Sequence, residues 1–224
     1  MTCNEKLLKA LGWITTIIVP LFLLMISIRL LITPVFPQIE YRLPGFPEDS
    51  YGFTLDDRLK WSAPSIRYLV NFEGIDYLEA LAFDDGTPIY NTRELSHMED
   101  VKAVVTGMRI GLIFSVLFVG LYAFVSIKCD RKDFLKTALM RGSWAHIGLI
   151  SAILLFVAIS FDDLFTWFHK IFFESGTWQF FMSDTLIRLF PLRFWQDAFI
   201  YVGVLSLLFS GLILFLSKKI WQKE

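Results

Sequence analysis

The residues from Met108 to Ile127, MRIGLIFSVLFVGLYAFVSI, contain one charged side chain, that of Arg109. An α-helix rises ~1.5 Å per residue, so a segment of this length matches the ~30 Å hydrocarbon core of a bilayer. Three further segments are apolar over a comparable length: Leu11 to Pro34, Trp144 to Phe161 and Ala198 to Leu216. The sequence therefore predicts a mainly α-helical membrane protein with four transmembrane helices.

The composition agrees with this interpretation. Of 224 residues, 55% are hydrophobic, 23 are Phe and only 19% are charged, and the mean hydropathy is +0.55, which is far from the values of a soluble domain. A formal net charge of −1 provides no general excess of positive charge for binding nucleic acid. The two cysteines, Cys3 and Cys129, show neither a CxxC spacing nor a disulfide framework.

Lysine and arginine are distributed unevenly around the four segments. Lys6 and Lys9 precede the first one, five basic residues fill the stretch 128–141, and three lysines follow the fourth segment. The positive-inside rule then places both termini and the stretch 128–141 in the cytoplasm, and the intervening segments at the outer face. A thiol at Cys129 would be cytoplasmic and reduced.

These observations divide the chain into eight parts. They are the N-terminus with the first span (1–35), an extracellular cap (36–92), an amphipathic helix leading into the second span (93–127), a cytoplasmic loop (128–141), the third span (142–161), an extracellular loop rich in aromatic residues (162–197), the fourth span (198–217) and a cytoplasmic tail (218–224). Within the cap, Asp84-Asp85-Gly86-Thr87 between two apolar runs predicts a β-hairpin. We therefore expect a small mixed αβ cap.

The stretch NTRELSHMEDVK, Asn91 to Lys102, precedes the second span. Asn91 with Glu94 three residues later has the form of a capping box, which predicts a helix that starts here and continues into the membrane. On that helix Glu94 and Asp100 each lie three residues from His97 and share its face, so either carboxylate is a candidate to orient the imidazole. The alternative is an ordinary solvated helix end.

The second histidine of interest, His169, lies in an unusually aromatic segment. Its neighbours Phe168, Phe172, Phe173 and Trp178 form an apolar surface that suits binding of a lipid-borne substrate, although a lipid-facing aromatic belt explains part of them. Asp162 is a further candidate orienting carboxylate. Arg109 is expected either to extend its charge to the headgroups, to pair with an acidic residue such as Asp162, or to bind substrate.

Two histidines with carboxylate partners can act as general base and general acid. The sequence has no GxSxG nucleophile motif, HExxH zinc motif, phosphate-binding loop or GxGxxG motif. The helical His-x-x-x-His spacing of many metal sites is also missing. Catalysis by His97 and His169, with no metal and no cofactor, is therefore the expected chemistry. His146, the remaining histidine, is assigned no function.

Three motifs together resemble the bacterial lipoprotein intramolecular transacylase family. They are NTRELSHMEDVK before the second span, FHKIFFxxGTW after the third and DTLIRLFP before the fourth, and the resemblance extends over nearly the whole chain. It implies an enzyme of the bacterial cell membrane whose partners are diacylglyceryl-modified lipoproteins and membrane lipids. The implied reaction moves the sn-2 acyl chain of an S-diacylglyceryl cysteine onto the amino group of the same cysteine.

The resemblance also implies that His97 and His169 are the two catalytic residues. Which of them accepts the proton of the attacking amine is not decided by the sequence, and we favour His169 as the base. Two other functions are consistent with the residues alone. One is a non-catalytic membrane scaffold or sensor whose outer histidines respond to pH, and the other is a metal-dependent membrane hydrolase.

Overall fold

The structure is a computed structural model in which residues 4–220 are described. These residues form eight α-helices: α1 (Glu5–Leu31), α2 (Val35–Glu40), α3 (Leu55–Val70), α4 (Asp76–Glu79), α5 (Thr92–Lys128), α6 (Lys132–Phe172), α7 (Thr185–Leu189) and α8 (Leu192–Ile220). Four of them, α1, α5, α6 and α8, are long and apolar enough to cross a membrane. The protein is therefore a multi-pass membrane protein, as its four apolar segments predict.

Helix α5 begins where the capping box predicts and runs without interruption to Lys128. The Asn91 backbone N–H donates to Glu94 Oε2 (2.9 Å), and the Glu94 N–H donates to Asn91 Oδ1 (3.1 Å). This reciprocal pair satisfies two N–H groups that a helix start leaves unbonded. The predicted continuous helix across the start of the second span is confirmed.

Helix α6 extends past the predicted end of the third span at Phe161 and continues to Phe172. Its one break is at Ser160, whose backbone is extended (φ −153°, ψ 76°). The Ser160 hydroxyl donates to Asp163 Oδ2 (2.6 Å), on the side chain three residues later. His169 therefore lies on a helix, whereas the sequence predicted a loop there.

The chain divides into two compact units, of which the first comprises Met1–Arg29, Met108–Phe156 and Ile200–Glu224. Its helices pack closely: the Tyr122 hydroxyl donates to the Leu8 carbonyl (3.3 Å). A Cβ atom at Gly142 would lie 2.6 Å from Val19, so only glycine fits there. Cys129 is disulfide-bonded, and the prediction of a reduced thiol at this position is therefore wrong.

The second unit comprises Leu30–Gly107 and Val157–Phe199. Its core consists largely of aromatic and aliphatic side chains, including Phe36, Trp61, Tyr68, Leu78, Met98, Leu186 and Phe194. Buried hydroxyl groups need hydrogen-bond partners, and in this unit two of them donate to backbone carbonyls that are far away in the sequence. The Tyr41 hydroxyl donates to the Leu189 carbonyl (2.8 Å), and the Thr185 hydroxyl donates to that of Ile89 (2.7 Å).

The mixed αβ cap predicted for residues 36–92 is wrong, since no strand occurs within residues 4–220 and the fold there is helical. The predicted turn does form: the Phe83 N–H donates to the Thr87 carbonyl (2.8 Å), and Gly86 has φ +85°. Only the isolated bridge between Ala82 and Pro88 accompanies it. Pro88 lacks the N–H that a ladder needs, and the chain enters α5 directly afterwards.

One fully buried carboxyl group belongs to the second unit. Glu40, at the end of α2, lies beside the carboxyl of Asp197, which forms an ion pair with Arg193. Burial, and then the neighbouring Asp197, raises the pKa of Glu40 from its ordinary 4.5 to about 8. Glu40 therefore holds a proton in the folded protein at neutral pH.

Raising the pH is expected to destabilise the wild-type protein relative to Glu40→Gln. The folded state keeps a proton that the unfolded chain releases between pH 4.5 and about 8, so the free energy of unfolding falls through this window and levels off above it. The slope is at most ~1.4 kcal/mol per pH unit. Thermal unfolding followed by tryptophan fluorescence should show a relative shift of several degrees. Glu48→Gln, at an exposed carboxylate, should follow the wild type, and identical behaviour of Glu40→Gln would contradict the assignment.

Candidate active site

His97 lies on α5, near the start of the helix. Its ring is 8% exposed, and its Nδ1 atom is buried with no hydrogen-bond partner among the described residues. The capping box fixes where α5 begins and therefore which face of the helix carries this histidine. Phe173 and Phe180 contact the imidazole at centroid distances of 4.9 and 5.3 Å.

His169 lies on the part of α6 that follows the break at Ser160, and it is also 8% exposed. Its Nδ1 atom is 2.7 Å from the carbonyl oxygen of Phe165, one turn earlier. A carbonyl oxygen only accepts hydrogen bonds, so Nδ1 carries the proton. In the neutral ring the lone pair is then on Nε2, which leaves that nitrogen able to accept a proton.

The structure brings the two imidazoles together, although they are far apart in the chain. Their ring centroids are 6.3 Å apart, and the rings are close to parallel, with an angle of 19°. Ring nitrogens lie about 1 Å from their centroids, so even the nearest pair would be ~4 Å apart, outside hydrogen-bond range. The two histidines therefore do not bond to each other, and a small polar group is needed to bridge them.

Aromatic rings enclose this pair. Of the four rings predicted to line the site, Phe173 contacts both histidines, while Phe168 and Trp178 contact His169 at 5.5 and 4.7 Å. Phe172 packs against Phe168 and Phe173 instead. Such walls exclude water and lower the local dielectric, which strengthens every polar interaction inside.

The predicted orienting carboxylates do not bond to either histidine. Glu94 is 1% exposed and accepts hydrogen bonds from the backbone N–H groups of Asn91 and Leu186, the second at 2.7 Å. Both of its oxygens are thus used to hold the start of α5 against α7. No hydrogen bond joins Asp100 or Asp162 to an imidazole in the described part of the chain, and Asp162 is exposed. The orienting contact to His169 comes from a backbone carbonyl.

Arg109 belongs to the first unit, whereas both histidines belong to the second. Residues 4–220 contain no group of three or more His, Cys, Asp and Glu side chains arranged to hold a metal ion. His146 also lies in the first unit and is fully buried.

Sequence reasoning missed Arg93 and did not predict its pairing with Asp184. Arg93 precedes His97 by one helical turn, and its Nη2 atom is 2.6 Å from Asp184 Oδ2. Its guanidinium also stacks over the rings of Phe180 and Phe181, at 5.5 and 5.0 Å. The four-residue spacing from His97 was the available signal, because it places both side chains on one helix face.

The chain matches known proteins over most of its length. Residues 13–195 match the model of the family described as lipoprotein intramolecular transacylase Lit. A protein of Aquifex aeolicus (strain VF5), described as uncharacterized, is 32% identical over 211 residues, which cover 92% of this chain and 93% of that protein.

Solved structures show the same fold. The in meso structure of the membrane integral lipoprotein intramolecular transacylase Lit from Bacillus cereus has a TM-score of 0.80 at 21% identity, covering 98% of this chain and 96% of that one. A variant of that protein with one histidine replaced by arginine gives a TM-score of 0.77 at 20% identity, covering 98% and 94% of the two chains. Since the family match covers well over half of the sequence, the chain belongs to the lipoprotein intramolecular transacylase family.

Proposed function

We propose that this protein moves the sn-2 acyl chain of an S-diacylglyceryl-cysteine lipoprotein onto the amino group of the same cysteine, giving the lyso form. The observation that carries the proposal is the pair of buried imidazoles, 6.3 Å apart and nearly parallel, inside an aromatic enclosure. Family membership supports a lipoprotein substrate. The apolar walls suit acyl chains, and the two rings suit the polar atoms that react.

His169 is the general base in this proposal. Its Nδ1–H donates to the Phe165 carbonyl, which leaves the Nε2 lone pair to accept a proton from the attacking amine. As the proton leaves, the nitrogen lone pair forms a bond to the sn-2 carbonyl carbon, and the carbonyl π electrons move onto its oxygen. The backbone contact fixes the ring in the orientation that this step requires.

His97 is the general acid. When the tetrahedral intermediate collapses, the C=O bond re-forms and the bond from carbon to the sn-2 glycerol oxygen breaks. That oxygen takes a proton from His97, whose ring lies on the other side of the gap from His169. One proton is removed from the amine and one is given to the glycerol oxygen, so the substrate needs no further reactant. Each turnover leaves the extra proton on His169 instead of His97, and its return to His97 through a hydroxyl group or water between the two rings restores the starting state.

The transfer is direct, with no acyl group on the protein. Both the amine and the ester belong to one substrate, so a pocket that folds the headgroup back gains an effective molarity that reaches ~10⁵–10⁸ M in well-oriented cases. Ser96, which precedes His97 directly, carries a hydroxyl group. Its side chain projects from α5 about 100° away from that of His97 and is exposed, so it does not face the site. The residues lining the enclosure thus serve to position the substrate and move protons.

The proposal is tested by incubating the purified protein with a synthetic S-diacylglyceryl-cysteine lipopeptide and analysing the product by mass spectrometry. Intramolecular transfer leaves the mass unchanged, so the product is identified by fragment ions carrying an N-acyl group and by loss of reaction with an amine-labelling reagent. We expect N-acylated product in the presence of a chelator. Release of free fatty acid instead would identify a hydrolase, and unchanged substrate would contradict the proposal.

We further propose that both termini are cytoplasmic and that the histidine pair acts at the outer face, because basic residues concentrate at 1–9, 128–141 and 218–224. Cysteines introduced by Ser50→Cys and Ser175→Cys, both exposed positions, are expected to react with a membrane-impermeant thiol reagent in intact cells. Thr137→Cys should react only after lysis. The reverse pattern would invert the topology.

A further inference from the structure

Two N–H donors close to the histidine pair have no acceptor. Arg93 Nε and Trp178 Nε1 are buried, and neither has a hydrogen-bond partner among the described residues. An unsatisfied buried donor costs ~1–3 kcal/mol, and more when it is charged, so such groups are uncommon in folded proteins. Two of them beside one candidate site indicate that an acceptor arrives with the substrate.

Several contacts hold the guanidinium group of Arg93 in place near His97. Asp184 binds one end of its guanidinium, and Asp184 itself accepts from the backbone N–H of Phe181 (2.8 Å) and the side chain of Asn91 (3.3 Å). Phe180, which stacks beneath the guanidinium, also contacts the His97 ring at 5.3 Å. The Nε–H is a buried donor that these contacts leave unused.

Trp178 lies beside the other histidine of the pair. Its ring is 4.7 Å from that of His169, at an angle of 35°. Trp178 and Phe180 belong to the same short segment that carries Asp184, so one loop positions both donors. Each histidine therefore has one unsatisfied N–H donor near it: Arg93 lies one helical turn from His97, and the Trp178 ring contacts that of His169.

We propose that Arg93 Nε–H and Trp178 Nε1–H bind the sn-2 carbonyl oxygen while it carries negative charge in the tetrahedral intermediate. The inference rests on the proposed function and adds two catalytic residues to it. The electron pair that moves onto this oxygen when the C–N bond forms returns when the bond to the glycerol oxygen breaks. Donors fixed in a water-excluded site stabilise such a charge strongly, because they need no reorganisation during the reaction.

The proposal predicts that each donor contributes most when the reacting oxygen becomes negative. Arg93→Gln is expected to lower kcat by ~10²–10³-fold, the typical effect of removing one oxyanion donor. Trp178→Phe, which keeps a ring and removes the N–H, should lower kcat with little change in KM. Arg93→Lys retains the positive charge opposite Asp184 and serves as the variant that folds if Arg93→Gln does not.

A substrate with an sn-2 thionoester separates this role from a structural one. Sulfur accepts hydrogen bonds poorly, so the wild type should prefer the normal ester, and this preference should fall by at least ~10-fold in Arg93→Lys and in Trp178→Phe. Arg67→Gln and Trp144→Phe, at exposed positions, are matched controls and should keep the wild-type preference.

Two results would overturn the assignment. A wild-type rate in either variant would do so, and so would an equal loss of rate on the two substrates, because a merely structural role slows both alike. If the wild type itself forms no N-acyl product, both the proposed function and the role of the two donors are contradicted. If the wild type is active on the normal ester and both variants keep the wild-type preference for the ester over the thionoester, only the role of the two donors is rejected.

Discussion

Replacing His169 by glutamine is expected to lower the rate of N-acylation by ~10²–10⁴-fold, and His97→Gln by a similar factor. Glutamine can form hydrogen bonds but cannot accept and release a proton at neutral pH, so the fold is retained while proton transfer is lost. The rate is measured with the synthetic lipopeptide, and retention of the fold is checked by thermal unfolding of the purified variants.

The double variant should be little slower than either single one, because the effects of residues that act as a unit in one reaction are not additive. His146→Gln is the matched control: this histidine belongs to the first unit, and the folded variant should keep its activity. Near-normal product from His97→Gln or His169→Gln would remove the acid–base mechanism and favour a non-catalytic scaffold.

Glu94→Ala is expected to cause a large loss of stability in the second unit. It leaves the backbone N–H groups of Leu186 and Asn91 without their acceptors, at a cost of ~1–3 kcal/mol each. The loss should appear as a lower thermal midpoint and a lower yield of folded protein. Glu99→Ala, at an exposed position on the same helix, is the control. If Glu94→Ala folds normally but is inactive, Glu94 orients His97 after all.

Local patterns were sufficient to predict the elements that position the site. The apolar length of Met108 to Ile127 predicted a spanning helix, because no other structure satisfies its backbone within a bilayer. The pairing of Asn91 with Glu94 predicted the start of α5 and hence the face that carries His97. The motifs around His97 and His169 predicted that both belong to one site, and the structure places their rings 6.3 Å apart.

Such local patterns could not predict contacts between residues that are far apart in the sequence. Glu94 shares a helix face with His97, yet its carboxylate bonds to Leu186, which is 92 positions away in the chain. Similarly, the signal for a β-hairpin was correct for the turn at Gly86 but not for its strands, because the returning residues Ile89 and Tyr90 are buried in a helical core. Packing, and not local preference, decided both cases.

A crossover experiment tests most directly the claim that the two histidines move an acyl chain within one substrate molecule. One lipopeptide carries isotopically heavy acyl chains and a second carries a heavy peptide, and both are incubated together with the protein before the N-acylated products are weighed. We predict that every product keeps the mass of one starting lipopeptide and that acid quenching traps no acylated protein. Product that is heavy in both the acyl chain and the peptide would show transfer between molecules and would contradict the mechanism.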